Sequence, residues 1–460
     1  MTGESGAARV RLADILHGRR GRFLATLMLA EFAAAMQGIA YSTVLPVTAR
    51  DLDGFALFGV TLAGGSVAAV LMLSFTAPIL QREPPGRVLL AATALYVVGA
   101  GLAVFAPAMT WVLAGTVIRG VAAGLFGGFG LGAIGALYDE AERTRVFGLF
   151  ALIWLLPSVL GPPLNAIVTD WIGWRWALAW PAVLVVVARV LMGTTISAVP
   201  WKPGRDRVPV SARSGVAVAA ALAVGGWGST TPSILGLAAL GVGVLVGGFA
   251  IVAFLVRGTQ GEARVLIAFA LLCAAFFGAY ELLSLTIIEG LGSTVLVASA
   301  AVTGGLVAWS LAGLRPRPDA RPDRAVVGSS LVASAFVLLI LGLWLGDRPG
   351  IIVVIAGAIV AGVGMGAAYP LLSSESFTGS TAASTVGTMV AFAEIAATAW
   401  VALFAGGVYS ALHGLGRPPA QALRIVFALL SVTAVAAVVT AARRRRVSAD
   451  RLDEPLPDQA

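Results

Sequence analysis

The chain has 460 residues, of which 58% are hydrophobic and only 12% are charged. This composition excludes a soluble globular protein and is typical of a chain that crosses a membrane many times. The net charge of +8 does not indicate nucleic-acid binding, because the arginines fall in short segments beside apolar runs. The single cysteine, Cys273, excludes an internal disulfide, and both histidines lie outside the apolar runs, so we expect no metal site and no cofactor.

Fourteen apolar runs, most of them near the ~20 residues that a helix needs to cross a bilayer, predict an all-α polytopic membrane protein. The first run is too long for a signal-peptide core of roughly 7–15 residues, so we interpret it as an uncleaved span. The predicted spans are 22–46, 54–79, 88–108, 111–137, 146–168, 176–197, 214–228, 233–256, 265–288, 294–313, 325–345, 351–371, 383–409 and 421–442.

The positive charges predict the orientation of these spans. Most of the 31 lysines and arginines fall in segments on the same side as the N-terminus. Because cytoplasmic loops carry an excess of Lys and Arg, we expect both termini in the cytoplasm. Lys202 is the single lysine and the chain is rich in Ala, Gly and Val, which suggests a bacterial source, so we expect the protein in the cell membrane of a bacterium. The opposite loops hold only Arg50, Arg175, Arg348, Arg417 and Arg424.

A weak internal repeat predicts two halves. The segment 38–41 resembles 278–280, and Gly124 and Gly128 match Gly362 and Gly366, both at an offset of about 240 residues. Chance glycine spacing in a Gly-rich chain is the alternative. The predicted organisation is a cytoplasmic tail (1–21), a six-helix bundle (22–197), a central loop with two extra spans (198–262), a second six-helix bundle (263–442) and a second cytoplasmic tail (443–460).

Three carboxylates and one arginine lie well inside long apolar runs: Glu31, Glu281, Glu394 and Arg119. A charge at bilayer depth costs at least ~2.5–3.5 kcal/mol, so such residues usually face a cavity and mark a transport path. Glu31 and Arg119 fall at similar depth and are predicted to pair, either as a fixed bridge or as one that proton or substrate binding rearranges. Arg189 lies closer to the inner end of its span and could extend to the interface.

The carboxylates suggest how protons and substrate are coupled. Glu394 lies nearest the middle of its span, and a desolvated carboxylate there can bind a proton or a cationic substrate but not both. We therefore predict Glu31, Arg119 and Glu394 as proton-coupling residues. The predicted substrate-binding residues are Glu281 and neighbours with aromatic or amide groups: Tyr41, Phe126, Phe277, Phe392 and Asn165.

Two motifs of small residues predict close helix contacts. Gly120, Gly124, Gly128 and Gly132 recur every fourth residue in the fourth span, which lets another backbone approach closely. The fifth span carries Gly148 and then Gly161-Pro162, and proline and glycine at membrane depth bend a helix and expose backbone carbonyls.

The chain resembles the major facilitator superfamily, specifically its fourteen-span drug:proton antiporters. Gly148 and Gly161-Pro162 match the spacing of the antiporter motif of the fifth helix, and Arg119 matches the fourth-helix arginine, which the family implicates in proton transfer. The loop Gln81–Arg87 departs from the family's gating motif, because Gln81 stands at its acidic position.

The resemblance implies a monomeric multidrug-efflux transporter that exports amphipathic or cationic compounds in exchange for protons, with a role in antibiotic resistance. An importer, or an exporter of one endogenous metabolite, is the alternative among transporters. A non-transporting structural or receptor-like membrane protein is a third possibility, although a scaffold need not carry three buried acids. A membrane enzyme is disfavoured, because no predicted span carries histidine, paired Asp or a nucleophile–base set.

Overall fold

The computed structural model describes residues 16–138, 140–199, 212–231, 233–258, 263–314, 323–376 and 383–452. Parts of the two predicted tails (1–15 and 453–460) and of the central loop (200–211) lie outside the described residues. The described chain forms fourteen long helices: α1 Gly18–Asp51, α2 Phe58–Leu80, α3 Pro85–Val104, α4 Met109–Leu137, α5 Glu140–Ile172, α6 Trp174–Thr195, α7 Ala212–Ser229, α8 Ile234–Gly258, α9 Ala263–Glu281, α10 Val295–Leu314, α11 Asp323–Leu345, α12 Asp347–Glu375, α13 Ala383–Gly414 and α14 Pro419–Leu452.

Each predicted apolar run overlaps one of these helices, and twelve of the helices are long and apolar enough to cross a membrane. The other two are α5, which begins with acidic residues, and α7, which is 18 residues long and contains Arg213. The all-α polytopic class is therefore confirmed. The count of fourteen spans stays a prediction.

One predicted helix is interrupted. The run 265–288 was expected to be continuous, but α9 ends at Glu281 and a short helical turn, Leu283–Leu285, leads into a π-helical segment, Thr286–Gly290. Helix α6 starts directly after Gly173, whose φ of 104° ends α5 and lets the chain reverse. Both features lie near helix ends, where the chain changes direction.

Glycines set the tightest helix contacts. A methyl group at Gly120 would overlap the carbonyl oxygen of Gly65, and one at Gly124 would lie 2.6 Å from the carbonyl oxygen of Ala69, so α4 packs directly on the backbone of α2. Gly128 faces Thr76, which also belongs to α2.

Two further glycines belong to the predicted motifs. Gly132 lies in α4 and Gly148 in α5, but the surroundings of both fall outside the described side chains. Their predicted role in close helix packing stays a prediction.

The helices make several contacts between distant parts of the chain. Helix α2 packs against α13, and α5 packs against α10. Helices α7 and α8 pack on each other and on α13, and α7 also packs on α2. On its other side α8 exposes large apolar side chains such as Leu245 and Phe249. An exposed apolar face on a membrane protein is expected to contact lipid.

Candidate transport site

Helices α1 and α4 bring Arg119 and Tyr41 together. The Arg119 guanidinium carbon lies 3.7 Å from the centroid of the Tyr41 ring, which is a cation–π arrangement. Arg119 donates to the hydroxyl of Thr116 and the carbonyl of Gly115, both at 3.4 Å, and the residue is only 7% exposed. The fourth-span arginine is thus held inside the protein against an aromatic face.

Tyr96 of α3 connects this pair to its neighbours. Its hydroxyl donates to Oε1 of Gln37 at 2.7 Å, and Gln37 donates in turn to the carbonyl of Leu178. Tyr96 lies within electrostatic range of both Arg119 and Arg189. The two arginines therefore belong to one polar cluster, built by α1, α3, α4 and α6.

Arg189 does not extend to the membrane interface, contrary to the expectation from its position near a span end. It is 9% exposed, and its guanidinium lies over the ring of Phe126. Its Nε atom is buried and has no hydrogen-bond partner. Burial against Phe126 holds the side chain inside the bundle, where an aromatic face replaces part of the lost hydration.

Glu31 lies within electrostatic range of Arg189 on its own side and of Glu394 across the molecule. The predicted pairing of Glu31 with Arg119 stays a prediction. We define the N-side cluster by its members: Glu31, Tyr41, Tyr96, Arg119, Phe126 and Arg189.

Glu394 of α13 is held by a tyrosine that the sequence analysis did not single out. The hydroxyl of Tyr369, on α12, donates to Oε2 of Glu394 at 2.9 Å. The Tyr369 ring packs on Phe269 and Trp309, with centroids 5.1 and 5.7 Å away. A carboxylate beside a wall of aromatic rings is an arrangement that suits an organic cation.

The aromatic wall continues towards Glu281. Trp309 packs on Phe276 and Phe277, with centroids 5.3 and 6.1 Å away, and Phe276 stacks on Tyr280. Glu281 follows Tyr280 directly, is half-buried and closes α9. We define the C-side cluster by its members: Phe269, Phe276, Phe277, Tyr280, Glu281, Trp309, Tyr369 and Glu394.

Trp309 and Tyr369 were missed although both lie in predicted spans. Aromatic residues at membrane depth were the available signal. Trp309 lies four residues after Gly305, and Tyr369 lies three residues after Gly366, in two helices that pack on each other. The glycine spacing of α12 predicted an internal repeat, but it is the aromatic residue beside these glycines that contacts Glu394.

Two predicted substrate residues lie elsewhere. Phe392 is fully buried and packs on Phe254 of α8, with centroids 4.4 Å apart. Asn165 is fully buried between α5 and α6, where its Oδ1 accepts from Nε1 of Trp180 at 3.0 Å. The described residues contain no group of three or more His, Cys, Asp or Glu side chains that could hold a metal ion.

An ion pair joins α1 to the segment that follows α9. Nη2 of Arg50 lies 2.6 Å from Oε1 of Glu289 in the π-helical turn. At the same end, the hydroxyl of Ser410 in α13 accepts from the Gly59 amide at 3.1 Å and donates to the Phe55 carbonyl at 3.0 Å. At this end of the molecule, these contacts therefore join α1 and the region around the start of α2 to α13 and to the turn that follows α9.

Comparisons with known proteins place these features in context. The family model described as the Major Facilitator Superfamily matches residues 27–405. A probable multidrug-efflux transporter of Mycobacterium tuberculosis is 25% identical over 446 residues, which cover 88% of this chain and 91% of that protein.

A triacylglyceride transporter of Mycobacteroides abscessus is 28% identical over 332 residues, which cover 71% of this chain but only 60% of that protein. Among solved structures, a POT family transporter in complex with 5-aminolevulinic acid has a TM-score of 0.68 at 16% identity, covering 93% of this chain and 98% of that one. At that identity, the likeness shows the fold alone.

Proposed function

Because the chain belongs to the major facilitator superfamily, we propose that it is a proton-coupled secondary transporter that exports amphipathic or cationic organic compounds by alternating access. The observation that carries this proposal is the C-side cluster, in which Glu394 is hydrogen-bonded to Tyr369 beside an aromatic wall. The carboxylate can bind either a proton or a cation, and the rings stabilise an organic cation at close range.

In this proposal Glu394, Glu31 and Arg119 couple transport to protons. Glu281, Phe277, Tyr41 and Phe126 contact the substrate. We leave Phe392 and Asn165 outside the substrate path, because Phe392 packs on α8 and Asn165 is engaged by Trp180.

We further propose two related halves, α1–α6 and α9–α14, with fourteen spans and both termini in the cytoplasm. The pairs of helices in contact support the two related halves. Three contacts in the first half recur in the second half, eight helices later. The contact of α2 with α4 corresponds to that of α10 with α12, the contact of α3 with α4 to that of α11 with α12, and the contact of α1 with α6 to that of α9 with α14. The contacts between the halves, α2 with α13 and α5 with α10, are related in the same way. The substrate would then bind between the halves.

The described conformation fits a state that is closed on the outer side. With the N-terminus in the cytoplasm, Arg50, Glu289 and Ser410 lie at the outer end, and they join one half to the other. Alternating access would require these contacts to break when the site opens outwards.

A second candidate is export of one endogenous lipid-like compound. The relative named a triacylglyceride transporter favours it. So does an apolar groove of about 610 Å³ among α5, α10 and α12, whose lining includes the exposed side chains of Leu296, Leu311 and Ile359. Such a groove could admit an apolar compound from the bilayer.

The test uses proteoliposomes with an acidic lumen and ethidium as the external cation. Internal protons should drive ethidium accumulation by the wild-type protein, and Glu394→Gln, which mimics the protonated carboxyl, should abolish it. Glu83→Gln is the matched control, because Glu83 is an exposed loop residue paired with Arg87. Accumulation that is independent of the pH gradient, or undiminished in Glu394→Gln, would contradict the proposal. Gradient-independent movement of a labelled triacylglyceride alone would favour the second candidate.

A further inference from the structure

The two clusters carry opposite charge. The N-side cluster holds two arginines, Arg119 and Arg189, and one carboxylate, Glu31, whereas the C-side cluster holds two carboxylates and no cationic side chain. Glu31 of the N-side cluster and Glu394 of the C-side cluster lie near enough for their charges to interact. A compound bound between them meets a positive surface on one side and a negative surface on the other.

The positive side is incompletely compensated. Arg119 and Arg189 are more than nine-tenths buried, and Nε of Arg189 is enclosed without a hydrogen-bond partner. A buried donor of a charged group that lacks a partner is costly, because its hydration has been lost and nothing has replaced it. Stacking on Tyr41 and Phe126 supplies only part of the compensation.

We propose that Arg189, together with Arg119, forms an anion subsite that binds a carboxylate or phosphate group of the transported compound. A planar guanidinium suits this role, since it can present two parallel donors to such a group. The inference rests on the proposed function, and it narrows the substrate class to compounds that carry an anionic group towards α4 and α6 and a cationic group towards Glu394. The preferred substrates are therefore zwitterionic amphiphiles.

The experiment compares two dyes that share one scaffold. Tetramethylrhodamine carries a free carboxylate beside its cationic ring system, and tetramethylrhodamine methyl ester carries only the cation. Kd is measured by fluorescence anisotropy on the full-length protein in phosphatidylcholine nanodiscs. The wild type should bind the zwitterion about tenfold more tightly than the ester, as expected for hydrogen bonds to a charged group.

Arg189→Gln should remove this preference and leave the Kd of the ester within about twofold of the wild-type value, because the ester carries no anionic group for Arg189 to bind. Arg189→Lys keeps the charge and should retain part of the preference; it also serves if Arg189→Gln does not fold. The matched control is Arg424→Gln, because Arg424 also stacks on an aromatic ring, that of Trp344, but lies outside both clusters.

Equal affinity of the wild type for the two dyes would overturn the anion subsite while leaving the proposed function intact. An equal loss of affinity for both dyes in Arg189→Gln would overturn it as well. If phosphatidylglycerol in the nanodiscs abolishes the preference, the cluster holds a lipid headgroup and the assignment to the transported compound is wrong. Failure of the wild type to bind either dye would contradict both the subsite and the proposed function.

Discussion

Three charged side chains inside the helix bundle each lie against an aromatic residue. Arg119 lies over Tyr41, Arg189 over Phe126, and Glu394 beside Tyr369. A ring face stabilises a guanidinium where water is scarce, and a phenol hydroxyl can donate to a carboxylate. These contacts allow charged groups to remain at a depth where lipid alone would strongly disfavour them.

Tyr369 should hold the Glu394 carboxylate in the orientation that receives substrate. Tyr369→Phe removes only the hydroxyl, so we expect kcat/KM for ethidium export to fall about tenfold, the usual worth of a hydrogen bond to a charged group. Transport assays in proteoliposomes measure this. Tyr138→Phe is the control, since its hydroxyl donates to the Arg20 carbonyl away from the site. Wild-type kcat/KM in Tyr369→Phe would show that the hydrogen bond is dispensable.

Glu31 should couple more strongly to Arg189 than to Arg119. Two double-mutant cycles, each combining Glu31→Gln with Arg119→Gln or with Arg189→Gln, give the coupling from thermal unfolding of the purified proteins. We expect about 1 kcal/mol or more for the Arg189 cycle, because a charge broken from its neighbour is already uncompensated. A larger coupling in the Arg119 cycle would restore the pairing predicted from helical depth.

Among the helices, glycine decides which surfaces can touch. Gly120 and Gly124 bring α4 onto α2, and Gly362 does the same for α12 on α10, where a methyl group would overlap the Gly305 carbonyl. Lipid offers no hydrophobic drive for helix association, so packing of this kind carries much of the stability. The glycines of α4 also fix the rotation of this helix, and that rotation directs Arg119 towards α1.

Gly120→Leu should destabilise the protein by roughly 1–3 kcal/mol or more, because the side chain would displace the α2 backbone. Thermal unfolding in detergent measures the loss. Gly127→Leu is a control in the same helix, since a methyl group there meets no atom within 4 Å. Equal melting temperatures for the two variants would mean that α4 does not depend on this contact.

Across the molecule as a whole, few of the polar contacts between described residues join the two halves, and several of these gather at one end. Arg50 pairs with Glu289 across the halves, whereas the neighbouring pair of Arg175 with Asp51 lies within one half. The halves can separate at this end only if the first pair breaks, so this pair should favour the conformation described here. Separation of the halves should leave the second pair unchanged.

Arg50→Ala should therefore shift the protein towards separation at this end. Spin labels on cysteines at the exposed positions Asp53 and Arg417 report the distance between the halves by double electron–electron resonance. We expect the longer-distance population to rise about fivefold, the effect of ~1 kcal/mol for a partly exposed pair. The control Arg175→Ala should leave the distribution unchanged. An unchanged distribution in Arg50→Ala would show that this pair does not hold the halves together.

The order of residues along the chain was enough to predict the helices and the depth of their charges. The length of each apolar run can be counted directly along the chain. Each predicted run overlaps a helix, from 22–46 in α1 to 421–442 in α14. Position along a span also indicates how deeply Glu31, Arg119 and Glu394 lie, because a helix rises by a constant ~1.5 Å per residue.

Which side chains meet became apparent only from the packing of the helices. Depth is one coordinate of three, and the rotation of each helix and its choice of neighbour depend on contacts with other helices. In helices that are apolar on every face, the residue pattern gives little indication of that rotation. This is why the proximity of Arg189 to Glu31, the contact of Phe392 with α8 and the hydrogen bond from Tyr369 to Glu394 could not be predicted from the chain alone.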